Sequence, residues 1–175
     1  MTHPYRLGSV IGLIGATVFV LVNRGVLPGA WPMVALVTFV VAAAFYIWAV
    51  WLRPASALPA GETPHPRAGL VYLASVAGML LLFFLGRLAL VQADREGLMP
   101  ALVALGVGVH LVPFAAAFRA PVFRTLGWLL AGIGLVGLVA GWLTAGAVAA
   151  AAAAVTAGVV MLVVMGSGAL VPRSG

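Results

Sequence analysis

Apolar runs long enough to cross a bilayer follow one another almost without pause along this 175-residue chain, and nothing else in it constrains folding as strongly. A hydrocarbon core about 30 Å thick demands roughly 20 residues in helical form, because every backbone N–H and C=O must be satisfied within its own segment. Charged residues are only 7% of the sequence against 65% hydrophobic, far too few to solvate a water-soluble surface.

Six segments meet the requirement: residues 7–22, 31–52, 68–91, 99–118, 122–143 and 145–165. The expected fold is an all-α membrane protein, a compact bundle of six transmembrane helices forming one domain over residues 1–167. The last two segments are parted only by Thr144-Ala145-Gly146. The chain must turn there, since one uninterrupted helix through both would overrun any bilayer. Barrel strands are excluded because polar positions do not alternate. The longest connection, 53–67, carries Pro54, Pro59, Pro64, Pro66 and Gly61 and reads as an extended surface loop.

Lysine is absent, so arginine alone sets orientation. With an even number of spans, Arg6, Arg53, Arg67, Arg119 and Arg124 share one side, and Arg24, Arg87 and Arg95 lie on the other with Asp94 and Glu96. The positive-inside rule places both termini in the cytoplasm. The first span lacks a small-residue cleavage pattern and is expected to stay as a helix. Leu170-Val171-Pro172-Arg173 reads as a thrombin-type recognition sequence left by recombinant expression, which sets residues 168–175 aside and lowers the net charge from +6 to +5. Arginine-rich, lysine-free coding with abundant alanine and glycine points to a GC-rich bacterium and hence to its cytoplasmic membrane.

Small residues forecast how the helices touch. Gly8 and Gly12, and Gly137 and Gly141, form small-xxx-small pairs on the first and fifth spans, and Ala149 to Ala154 run unbroken on the sixth. Such residues let backbones approach closely where lipid supplies no hydrophobic drive. The sixth helix is therefore expected to be covered by protein, either within the bundle or by a second copy of the chain.

Ionisable groups inside a span are costly and mark functional sites. His110 falls near the middle of the fourth span, and Pro113 frees the carbonyl of Val109 one turn before it, predicting a kink beside the imidazole. Tyr46, Tyr72, Ser75 and Thr156 are its candidate neighbours. His110, Pro113, Arg87, Tyr72 and Tyr46 together form the candidate ligand-binding set. Arg119 and Arg124, flanking Pro121, are placed to meet anionic headgroups. The five tryptophans fall near span ends, as an interfacial belt requires.

Absences narrow the function. Glu62, Asp94 and Glu96 are the only carboxylates, and all lie in connections, so neither proton-coupled transport nor paired acid–base catalysis has its groups in a span. One embedded histidine and no cysteine cannot build a catalytic metal site. No phosphate-binding glycine loop precedes a helix, and no basic cluster stands clear of the membrane to hold nucleic acid. The expectation is a non-enzymatic membrane protein without cofactor or metal, holding a lipid or other small hydrophobic ligand in an intramembrane cavity, as a sensor or regulator. Its expected partners are membrane lipids, anionic on the cytoplasmic side, and a second copy of itself. The alternative is a small oligomeric channel or transporter whose path passes His110.

Overall fold

A computed structural model describes residues 4–59, 63–144 and 146–171. The described residues are helical or in turns and short irregular connections, with no strand among them. Six helices follow in order: α1 (Pro4–Asn23), α2 (Trp31–Ile47), α3 (Ala68–Gln92), α4 (Met99–Ala117), α5 (Pro121–Thr144) and α6 (Ala147–Gly168). With their adjoining turns, all six are long and apolar enough to cross a membrane. Apart from Pro113 inside α4, helix prolines sit where a missing N–H costs nothing, in the first turn of α2 and α4 and at the head of α5. Glu62, Ala145 and Pro172 to Gly175 lie outside the described residues, and with them the centre of the α5–α6 break and half of the thrombin-type tail. On either side of Ala145, α5 ends at Thr144 and Gly146 is extended, its N–H donating to the Gly141 carbonyl at 3.2 Å.

The helices alternate in direction. The hydroxyl of Tyr5 donates to the Met165 carbonyl at 2.6 Å, and the Arg53 guanidinium donates to that of Ala169 at 2.9 Å. The backbone N–H of His65 donates to Ala117 at 2.9 Å. The start of α1, the 53–67 connection, the α4–α5 turn and the end of α6 therefore share one end, here the terminal end; the other three connections form the far end. Arg6, Arg53, Arg67, Arg119 and Arg124 fall at the terminal end, as the arginine count anticipated.

Packing is centred on α6. More than half of it is buried, against almost none of α3, and it touches α1, α2, α4 and α5. Its alanine run thus serves the inside of the chain: Ala150, Ala151, Ala153 and Ala154 are all buried. α3 lies outermost, packed chiefly on α4 through Phe83 against Gly106 and Leu102 against Gly86.

The closest approach is the antiparallel pair α4 and α5. A Cβ on Gly108 would meet the backbone of Ala131 and the Gly127 carbonyl oxygen, the latter at 2.6 Å. One on Gly134 would meet the backbone of Leu105 and the Ala101 carbonyl oxygen at 2.7 Å. Backbone cannot move aside as a side-chain tip can, so these two glycines fix the crossing.

The small-xxx-small pairs expected from sequence divide accordingly. Gly137 is pressed by Ala153 and by the Ala101 Cβ, and Gly141 by Leu98. Gly12 faces the flexible thioether of Met165, whereas a Cβ on Gly8 would meet only Phe123 Cζ, at 3.8 Å, an ordinary contact. Gly8 therefore brings no helix closer than an alanine would, because it looks toward the tip of an aromatic ring.

Gly108→Ala and Gly134→Ala are expected to lower stability in detergent by about 1–3 kcal/mol, the cost of overpacking a closed core. Gly8→Ala, and Gly78→Ala where nothing lies within 4 Å, should be neutral or gain up to about 1 kcal/mol of helix propensity. Denaturant unfolding followed by tryptophan fluorescence separates the two classes, and equal effects would contradict the assigned crossing.

Candidate functional sites

His110 and Phe114 of α4 and Phe118, which caps it, stand at intervals of four, which places them on one stripe of the helix. The His110 and Phe114 ring centroids are 6.2 Å apart, and Phe114 stacks on Phe118 at 4.5 Å. Tyr72 from α3 meets His110 at 6.0 Å and Phe114 at 6.1 Å, both edge-on, and Phe123 from α5 meets Phe114 at 5.5 Å. The imidazole also faces the Ser75 backbone. Its Nδ1 is buried and has no hydrogen-bond partner. A lone buried nitrogen of this kind is a cost that packing alone does not repay.

The predicted site set is thus divided. Tyr72, Ser75 and Pro113 stand with or beside His110, and the helix continues through Pro113 to Ala117. Tyr46 is elsewhere: it is fully buried against α1 and α6, and its hydroxyl donates to Ser9 Oγ at 2.7 Å while accepting from Trp51 Nε1 at 3.3 Å. Its polar atom is already satisfied, which explains why it is not free for a ligand. Thr156 lies on the exposed stripe of α6, its hydroxyl donating to the Ala152 carbonyl at 2.8 Å. Arg87 is exposed on α3, one turn and a half from the far end. Arg119 and Arg124 are exposed at the terminal end, and Arg119 occupies the left-handed position that closes α4, with φ of 51°. A side chain there costs about 1–2 kcal/mol relative to the right-handed form.

Sequence reasoning missed the most polar construction in the chain. Trp48–Leu52 continues α2 as a widened π turn, leaving carbonyls without helical donors. Arg6 supplies them: Nε donates to Val50 at 3.1 Å, and Nη2 donates to Arg53 at 2.9 Å and to Trp51 at 3.4 Å. The guanidinium also lies 5.5 Å over the Trp51 ring. Ser9 Oγ donates to the Arg6 carbonyl at 2.9 Å, so Trp51, Tyr46, Ser9 and Arg6 form one hydrogen-bonded series between α2 and α1. A polar residue one turn after an arginine at a span start was the only available signal. Beside this series burial, and secondly the Tyr46 phenol, push the Tyr5 hydroxyl up to about 12.

Two grooves open along the outer face of α6. One, of about 450 Å³, runs between α2 and α6, with Pro28, Trp31 and Thr38 facing Val148, Thr156 and Val160. The other, of about 530 Å³, runs between α5 and α6, with Trp128, Gly132 and Ala140 facing Ala149 and Thr156. They share Ala152 and Thr156, and their walls are apolar apart from threonine hydroxyls turned to their own helices. None of the predicted ligand-binding residues lines either groove. Among the described residues, no three His, Asp or Glu gather closely enough to hold a metal ion.

Arg6→Ala should lower stability by about 2–3 kcal/mol, since the hydrogen bonds it removes are charge-assisted. Arg6→Lys should recover less than half of this, because an ammonium cannot reproduce the planar fork across separate carbonyls. Full rescue by lysine in thermal-shift measurements would count against the capping role.

For Tyr5 the sign follows from a raised pKa: the fold holds the neutral phenol, so stability is whole below the ordinary value of 10.0 and falls as pH rises toward 12. Tyr5→Phe should flatten that alkaline loss, which a denaturation series between pH 9 and about 12 would record.

No protein-family profile matches the chain, and neither a curated protein nor a solved structure does.

Proposed function

We infer that this is a non-enzymatic, multi-pass protein of a bacterial cytoplasmic membrane that holds a lipid or other small hydrophobic molecule against α6. The supporting observation is the pair of apolar grooves converging on Ala152 and Thr156. Their volumes fall within the range of small-molecule sites, about 300–1,000 Å³. Around them the large side chains are packed: Tyr46, Leu126, Leu130 and Leu162 fill the interior, so a hydrophobic guest has its space at the helix margins.

The terminal end, carrying Arg6, Arg53, Arg67, Arg119 and Arg124, is the cytoplasmic one by the positive-inside rule. Arg119 and Arg124, exposed there, meet anionic headgroups. Any second copy of the chain would use surface left over by α6, whose small residues are mostly spent inside the bundle.

A second reading keeps the ligand at His110. It is favoured by the unpartnered Nδ1, which a polar head reaching between α3 and α4 would satisfy. A conduction path past His110, the alternative raised by the sequence, gains no supporting observation, since Tyr72 and Phe114 crowd the ring.

Native mass spectrometry with lipid extraction tests these readings on gently solubilised protein. A discrete hydrophobic molecule is expected with the wild type and with His110→Ala, and is expected to be lost with Ala152→Leu. Loss only with His110→Ala would move the site to α4. No bound molecule, with liposome flux that falls on His110→Ala, would replace binding by conduction.

A further inference from the structure

We propose, resting on the groove reading above, that the two grooves together hold one two-chain lipid with a near-neutral headgroup, taken from the leaflet at the far end. Length selects a lipid over a helix. On α6 the lining extends from Val148 to Val160, about 18 Å at 1.5 Å per residue. One leaflet supplies about 15 Å of hydrocarbon and a whole core about 30 Å. A docked transmembrane helix, from a second copy or another protein, needs the full core. On α5 the lining runs from Ala140 to Trp128, also about 18 Å, so each groove has the length of one acyl chain and falls short of a spanning helix.

Connectivity selects two chains. The grooves flank the far-end half of α6 on either side and merge at Ala152 and Thr156. Two chains joined at one headgroup fill them from a single entry point, and a one-chain amphiphile leaves one side empty.

Charge selects the headgroup. The far end carries Arg24, Arg87 and Arg95 against Asp94 and Glu96, and no ion pair joins them among the described residues. Among the described residues, the terminal end carries five arginines and no carboxylate. An anionic lipid would gather at the terminal end. The grooves open at the other, where both signs are on offer. Arg24 begins the turn whose Leu27 and Pro28 line the α2 side, and accepts the Leu27 N–H at its carbonyl at 3.1 Å. Arg95 lies 5.7 Å over Trp142, just beyond Ala140 of the α5 side. Glu96 follows it, beside Gly97, whose added Cβ would stand 2.9 Å from the Ala147 Cβ at the head of α6. A phosphate held by arginine and an ammonium held by carboxylate match this arrangement.

Delipidated full-length protein in detergent, mixed with equal amounts of phosphatidylethanolamine, phosphatidylglycerol and lyso-phosphatidylethanolamine of one chain type, provides the test by native mass spectrometry. A Cβ on Gly132 meets nothing within 4 Å, so Gly132→Leu directs bulk into the α5 groove; Ala152→Leu blocks the junction. Gly78→Leu, equally open but on α3, is the control. The expected result is one phosphatidylethanolamine per chain, preferred about tenfold over either competitor, lost in both groove variants and kept in the control.

Preference for phosphatidylglycerol overturns the headgroup assignment. Equal retention of the lyso-lipid, still lost on Ala152→Leu, overturns the two-chain inference and leaves the groove reading standing. Lipid binding unchanged in both groove variants overturns the two together, as does a lipid-free oligomer that Gly132→Leu dissociates. Matching thermal-shift midpoints for the three variants establish that each result comes from a folded chain.

Discussion

The backbone contact between α4 and α5 is the constraint on which the remaining geometry depends. In an apolar solvent, helices gain nothing by hiding apolar surface from one another, so they adhere through close dispersion contact. Gly108 set against Ala131 and Gly127, and Gly134 set against Leu105 and Ala101, bring these backbones together. That contact fixes the face α4 turns outward, where α3 lies on it through Gly86 and Gly106. It also fixes the face α5 offers α6, where Gly137 admits Ala153. α1 closes on the other side of α6, where a Cβ on Gly158 would meet the Ala16 carbonyl oxygen at 2.8 Å.

The outer helices are held by different means. α2 meets α6 over a shorter stretch, and its last turn widens, so its terminal carbonyls need donors that the helix no longer supplies. Arg6 and the series through Ser9, Tyr46 and Trp51 provide them and tie α2 to α1 at the arginine-rich end. At the far end, among the described residues, no comparable hydrogen-bonded series draws α2 and α5 over α6. Tight polar closure at one end and apolar opening at the other give the bundle two dissimilar membrane faces.

His110 illustrates how far a single unusual residue carries an argument. Its rarity in a span drew attention from sequence, and the structure gives it two of the four proposed neighbours, Tyr72 and Ser75, with Phe114 and Phe118 completing a stripe. Tyr46 shares the chemistry but not the place. Both residues lie on apolar helices without a strong polar face, so no periodicity in the sequence told which neighbour each would turn toward. Gly8 and Gly12 failed as a uniform pair for the same reason: small-xxx-small spacing says that two glycines share a face, and is silent on whether that face meets backbone, a flexible thioether or a ring edge.

Length and hydropathy by themselves determined the number of helices, their approximate bounds, their alternating directions and the gathering of five arginines at one end. Each follows from local rules: backbone hydrogen bonds must close within a segment, a bilayer has one thickness, and an unbroken series of spans reverses at every turn. The tertiary structure alone decided that α6 stands at the centre, that α4 and α5 touch backbone to backbone, that Arg6 finishes α2, and that two grooves meet at Ala152 and Thr156. Those are choices of helix rotation and neighbour. An apolar helix in lipid can present nearly any face outward at similar cost, so composition leaves rotation open, and only the fit of small residues against particular backbones and side chains selects one arrangement.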